Sequence, residues 1–160
     1  MREAILSIDV GGTTTAAGLV TPQGEMLAHV QAATHSEGPG TVLDTLLELA
    51  DGLAATAKAE GITLLGLGVG VPGVVDAERG IVGEDIKNVP ELAGCPLAER
   101  LAARYGVSAL VDNDVNLLAL GQWRFGAARA ARSLVLLALG TGVGGGIILD
   151  GRLVRGAGGY

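Results

Sequence analysis

A single cysteine, Cys95, among 160 residues excludes an internal disulfide and a cysteine-based zinc site within them. It fits a reducing compartment, and its default role is that of a small apolar filler. Aromatic side chains are nearly missing too, at 2% of the chain, so a core has to be assembled from Ala, Val, Leu and Ile. Basic residues are also few: 11 Lys and Arg against 17 Asp and Glu give a formal net charge of −6, and no basic cluster interleaves with aromatics. That balance excludes a nucleic-acid footprint and a basic membrane face. No apolar run approaches a membrane span, and the opening MREAILSIDVGG is interrupted by Asp9 too early for a secretory segment. The expectation is a soluble, cytoplasmic chain with neither nucleic acid nor membrane as a partner.

Glycine, in contrast, is abundant, with 27 residues, and 49% of the chain is hydrophobic. The length suits one domain, or one lobe and part of another. Residues 4–10, 13–20 and 25–32 read as three successive antiparallel strands separated by a Gly-Gly turn and a TPQG turn. A helical stripe of Val42, Leu46, Leu49, Leu53 and Ala57 follows, opened by Thr41 and closed by Gly61. Residues 62–70 are so continuously apolar that the pattern predicts a strand covered on both faces. A helix from Pro96 to Gly106, a strand over 107–112, a helix from Asp114 and a strand over 133–140 come next. Two further strands, over 143–149 and 152–155, meet at Asp150 and Gly151, a pair that suits a type I′ hairpin. The order is therefore βββαβαβα followed by βββ.

An internal echo divides this order. LSIDVGGTTTAAGLVTPQG and LLALGTGVGGGIILDG each give a strand, a Gly/Thr turn, a second strand and a second turn. Residues 1–125 then form one lobe, and residues 126–160 supply only the opening strands of a second, with an apolar face that needs a partner.

Three places carry chemistry. At Asp9–Thr13, Gly11 and Gly12 leave backbone N–H groups uncovered, Thr13 adds a hydroxyl, and Asp9 is placed to orient a magnesium ion through water. These are the parts a phosphate requires, although an ordinary hairpin turn has the same look. At 139–146, Thr141 and Gly142 repeat that chemistry, and three further glycines invite close approach of a ligand or another backbone. The third place is VDNDVNLLALG, where Asp112, Asn113 and Asp114 crowd the end of a strand. Ligands of open α/β sheets bind beyond such strand ends. Asp114 can accept a proton from a substrate hydroxyl, while Asn113 and Asn88 hydrogen-bond neighbouring hydroxyls of a polyhydroxylated substrate. One of Asp112 and Asp114 is expected to be a helix cap or a solvated acid, Asp112 being the stronger candidate for a purely structural role. His29 and His35 have no metal-ligand spacing, and Trp123 and Phe125 read as core or lobe-packing residues.

Taken together, DVGGT, GVGVPGVVD, KNVP, VDNDVNLLALG and LGTGVGGGIILDGRLVRGAGG resemble the successive motifs of the ROK family of glucokinase-like sugar kinases and related repressors. The resemblance covers nearly the whole chain. It implies a two-lobed, ribonuclease-H-like fold of the actin and hexokinase type, with ATP, magnesium and a hexose bound between the lobes. By similarity Asp114 is the catalytic base, Gly73, Asn88 and Asn113 line the sugar site, and Asp9–Thr13 with Thr141 and Gly142 grip the ATP phosphates. Thr14 stands where many members carry Lys, and Gln122 replaces a frequent Glu. The resemblance also places a Glu-x-x-His sugar contact, a structural zinc cluster and the adenosine site after Tyr160. The chain as given is therefore expected to be an incomplete, inactive part of a possible homodimer. Two other readings remain: a sugar-sensing regulator, disfavoured because only three residues precede the first strand, and a non-catalytic sugar-binding module.

Overall fold

The computed structural model describes residues 2–35, 41–140 and 142–156. Strands β1 (Arg2–Val10), β2 (Thr14–Val20) and β3 (Met26–Ala33) are followed by helix α1 (Thr41–Ala59) and strand β4 (Ile62–Val71). A small hairpin, β5 (Val75–Asp76) and β6 (Ile81–Val82), and a 3₁₀ turn at Pro90–Leu92 lead to α2 (Leu97–Tyr105), β7 (Ala109–Asn113) and α3 (Asp114–Arg124). The chain closes with β8 (Leu134–Leu139), β9 (Val143–Leu149) and β10 (Arg152–Leu153). Five strands make a mixed sheet ordered β3-β2-β1-β4-β7, antiparallel across β3, β2 and β1 and parallel across β1, β4 and β7. The last three strands form a separate antiparallel sheet, β10-β9-β8.

Period-two alternation in β1 decides which face is filled. Ala4, Leu6, Ile8 and Val10 are buried beneath α1 and α2, whereas Ile5, Ser7 and Asp9 point to the opposite face. On α1 the buried positions Val42, Leu46, Ala50, Leu53 and Ala57 recur at helical spacing, and Leu49 is only partly buried against them. Helix α2 adds Leu97 and Leu101 to the same core and ends on Gly106, whose φ of 70° suits a residue without Cβ. Aliphatic side chains thus supply the core that the shortage of aromatics demanded.

Strand β4 departs from the expectation of cover on both faces. Only its carboxyl end, Val69 to Val71, is buried on both sides; Leu65 is 45% exposed. The reason lies with α3, which crosses the second face only at that end, above Gly70. A Cβ at Gly70 would stand 3.2 Å from the Asp114 Cα. Strand β7 also starts later and runs one residue further than its sequence pattern suggested, through Asn113. Strand β10 covers only two of the expected four residues, because Arg155 turns away to meet Asp112.

Helix α3 is held by both sheets. On the β8-β9 side the approach is permitted by glycine: a Cβ at Gly144 would lie 2.6 Å from Val115 Cγ2, and one at Gly146 would lie 2.6 Å from Ala119 Cβ. At the far end of the helix, Trp123 Nε1 donates to the Ala131 carbonyl at 2.9 Å, and the Phe125 ring lies against the Gly24 turn. Both aromatics therefore pack neighbouring segments, as their positions suggested. Asp150 and Gly151 have φ of 50° and 76°, the paired positive values of a type I′ turn. The outer face of the second sheet leaves Val135, Leu137, Leu139, Val143, Ile147 and Leu149 exposed.

Candidate functional site

The register of the first sheet places three residues side by side. Asp9 pairs with Gly70, and Gly70 pairs with Asp112, so two carboxylates project from one face on either side of a position that has no side chain. Into that gap drops the first turn of α3. Glycine at 70 is what lets Asp114 sit directly over the sheet between them.

The crowding of Asp112, Asn113 and Asp114 resolves into three separate tasks. The helix cap is Asn113, so the cap alternative for the aspartates falls: its Oδ1 accepts from the backbone N–H groups of Val115 and Asn116, both at 3.0 Å. Asn113 Nδ2 donates to the Gly73 carbonyl at 3.0 Å. Gly73, at φ 84°, reaches that contact from the turn after β4 in a conformation that suits glycine. Asp112 turns into the protein and is buried. Asp114 is half-buried at the cleft, with Oδ1 accepting from the Val115 N–H at 2.8 Å, and its own N–H and the Asn113 side chain also hydrogen-bond the carboxylate.

A cleft of about 640 Å³ gathers Gly12, Gly73, Asn88, Asn113, Asp114 and Gly142, together with Asp85, which sequence reasoning did not single out. Among the described residues no Lys or Arg lines it. A second cavity of about 520 Å³ contains Asp9, Gly70 and Asp114. The two share Asp114, Val115 and Ala138, so Asp114 stands where they join. Gly11 and Thr13 form the turn beside this junction without lining either cavity, and Thr141 lies outside the described residues. His35 Nδ1 lies 3.6 Å from Glu91, and His29, on β3, lines the second cavity. Among the described residues no group of three or more His, Cys, Asp and Glu is arranged to hold a metal.

Electrostatics single out the same pair of acids. Burial is the main cause that lifts the Asp114 carboxyl above the ordinary carboxylate range, and the negative charge of Asp9 adds to it. Asp9 is itself raised by the desolvation of its carboxyl. A half-buried carboxylate at a cleft, with its pKa raised by burial, is equipped to take a proton.

Thr34 is a functional residue that sequence reasoning missed. It is fully buried, and its Oγ1 donates to the Gly11 carbonyl at 2.7 Å while lying 3.0 Å from Thr15 Oγ1. Because its one hydroxyl proton goes to Gly11, Thr15 must be the donor in the second bond. The Thr34 N–H also donates to the Thr13 carbonyl at 2.9 Å. The end of β3 thereby fixes both sides of the Gly-Gly turn. Only its place just past a strand hinted at this. In the full-length protein, Thr34→Val strands an acceptor and a donor, so it is expected to cost about 1–3 kcal/mol in urea unfolding, whereas Thr34→Ser retains most of the stability.

A mixed sheet with a carboxylate-lined cleft beyond its strand ends makes this an α/β fold, and solved structures share it. The ROK family glucokinase from Streptomyces griseus, solved in complex with glucose and AMPPNP, matches with a TM-score of 0.80 at 31% identity, over 98% of this chain and 48% of that one. A ROK family transcriptional regulator, a homolog of the E. coli MLC protein, matches with a TM-score of 0.87 at 26% identity, over 100% of this chain and 40% of that one. In sequence, the chain is 38% identical to the glucokinase of Thermotoga maritima over 157 residues, 95% of this chain. The chain belongs to the ROK family, whose profile matches residues 5–160. It spans 46% of the length of the Thermotoga enzyme.

Proposed function

We propose that the full-length protein is an ATP-dependent sugar kinase that moves the γ-phosphoryl group onto a hexose hydroxyl, with residues 1–125 as its ribonuclease-H-like first lobe and 126–160 opening the second. The observation that carries this reading is Asp114, a half-buried carboxylate at the junction of two cavities. On this reading Asp114 accepts the proton of the attacking hydroxyl, and Asn113 with Asn88 holds neighbouring hydroxyls in the larger cavity. Phosphoryl transfer is chiefly a matter of positioning and electrostatics, so a base held in one place by a helix start suits it. The turn at Gly11, Gly12 and Thr13 offers backbone N–H groups to the phosphates from one side, with Thr141 and Gly142 opposite. Magnesium supplies charge neutralisation on the phosphates when bound. Asp9 fits an ion carried in by those phosphates and reached through water, since no cluster of three ligands exists among the described residues to hold one alone.

A coupled ADP-release assay of the full-length protein over a hexose panel tests the reading, and absence of turnover with every sugar would sink it. The high structural similarity to a regulator favours a second reading, a sugar-responsive DNA-binding protein whose ROK portion only senses. Sugar binding without ADP release, with operator binding by the full-length chain, is the outcome that reading requires.

The raised pKa gives a further expectation. A base works when deprotonated, so kcat/KM falls as pH drops through the elevated Asp114 pKa, and the acid limb lies above the ordinary carboxylate range. Asp9→Asn removes a like charge, which lowers the Asp114 pKa and moves that limb to lower pH, whatever it does to the maximum rate. A pH profile of kcat/KM for both proteins reads the shift; a limb that stays still or moves upward contradicts the coupling.

A further inference from the structure

Asp112 is buried, yet its carboxylate is engaged from three directions. Its Oδ1 accepts from the Asn113 N–H at 2.8 Å and from Asn116 Nδ2 at 3.3 Å, and its Oδ2 pairs with the Arg155 guanidinium. The first donor is at the end of β7, the second is in the first turn of α3, and the third arrives from the segment after β10, 43 residues along the chain. A carboxylate that deep requires a countercharge, and among the described residues Arg155 is its ion-pair partner. Asn113, which faces the cleft, is one of the two residues that Asp112 Oδ1 ties together, and the cleft residue Asp114 lies between it and Asn116.

We propose that Arg155 is a positioning residue for the sugar-facing turn: by pairing with Asp112 it clamps residues 112–116 in the geometry that presents Asn113 and Asp114 to the cleft. The inference rests on the kinase reading for its kinetic consequence but not for its structural one. Without the guanidinium, Asp112 keeps a buried negative charge with only neutral donors. Its relief is to turn toward solvent, which releases the Asn113 N–H and the Asn116 amide. The phosphate turn at 9–13 has no bond to this clamp, so its function is spared.

The test uses the full-length wild type with Arg155→Ala, Arg155→Lys, Asp112→Asn and the Asp112→Asn/Arg155→Ala double variant. In Arg155→Ala, kcat/KM for sugar is expected to fall on the order of 10²-fold with sugar KM raised, while ATP KM stays within about threefold. Arg155→Lys keeps the charge and loses less, and the double variant is within about threefold of the worse single one, as coupled partners require. Independently of turnover, the Val115 and Asn116 amides exchange with solvent at least about tenfold faster in Arg155→Ala, and measurably faster in Arg155→Lys should the alanine variant not fold. Unchanged sugar KM, with any loss confined to kcat and following a lowered Tm, overturns the positioning role. Absence of sugar turnover in the wild type overturns the kinase reading, and equal amide exchange in wild type and variants overturns the clamp whatever the activity.

Discussion

Asp114→Asn in the full-length protein is expected to keep sugar binding while lowering kcat by about 10²- to 10⁴-fold, the range for losing a general base. The amide is nearly the same size, and its carbonyl oxygen can still accept the Val115 N–H that Oδ1 accepts at 2.8 Å. What it cannot do is take the proton of a hydroxyl. The stability consequence has a definite sign. Folding raises the Asp114 pKa, so at neutral pH the charged form is disfavoured by the fold, and that penalty disappears as pH falls below the unfolded value. A neutral side chain escapes it at every pH. Asp114→Asn is therefore expected to unfold at a Tm no lower than that of the parent, combining a large kinetic loss with intact structure. Near-normal turnover would remove Asp114 from the role of base, and loss of sugar binding with a lowered Tm would make it a structural residue instead.

The second large effect is expected at Gly146. A Cβ there would lie 2.6 Å from Ala119 Cβ and 2.9 Å from the Val115 carbonyl oxygen, so Gly146→Leu must drive β9 away from α3. Overpacking of this kind costs about 1–3 kcal/mol, and the full-length variant should show it in urea unfolding along with a loss of activity. A comparison with Gly144 isolates the cause. The obstruction at Gly144 is the Val115 side chain alone, so Val115→Ala should restore much of the stability lost in Gly144→Ala. At Gly146 one obstruction is helix backbone, which no side-chain change removes. Equal rescue at both positions would show that the seam yields more readily than its geometry says.

Those glycines were legible as a place of close approach, but not what approaches. The sequence pattern of β1, α1 and α2 carried their buried faces plainly, because alternation and helical spacing are local properties. The edges of β4 were misjudged for the opposite reason: its apolar run is the same whether α3 covers all of it or only the end above Gly70. Asp114, Asn88, Gly73 and Gly142 could be assembled from strand ends and motif chemistry, and the cleft contains them all. The assignment of the cap to Asn113 was hidden because Asp and Asn are almost equally good caps, and only backbone direction chooses between them. Thr34 and Arg155 stayed invisible, since each acts on a partner tens of residues away through the fold.

The row Asp9, Gly70 and Asp112 reverses the usual intuition about which positions tolerate change. Leu137 and Leu139 are bulky yet mostly exposed, so in the 160-residue chain polar replacements there remove little contact. Gly70 contributes no side chain at all, yet every other amino acid would press on the origin of α3. A saturation library of this chain should therefore show its narrowest allowed alphabets where the residue is smallest, and its widest along the hydrophobic outer strands.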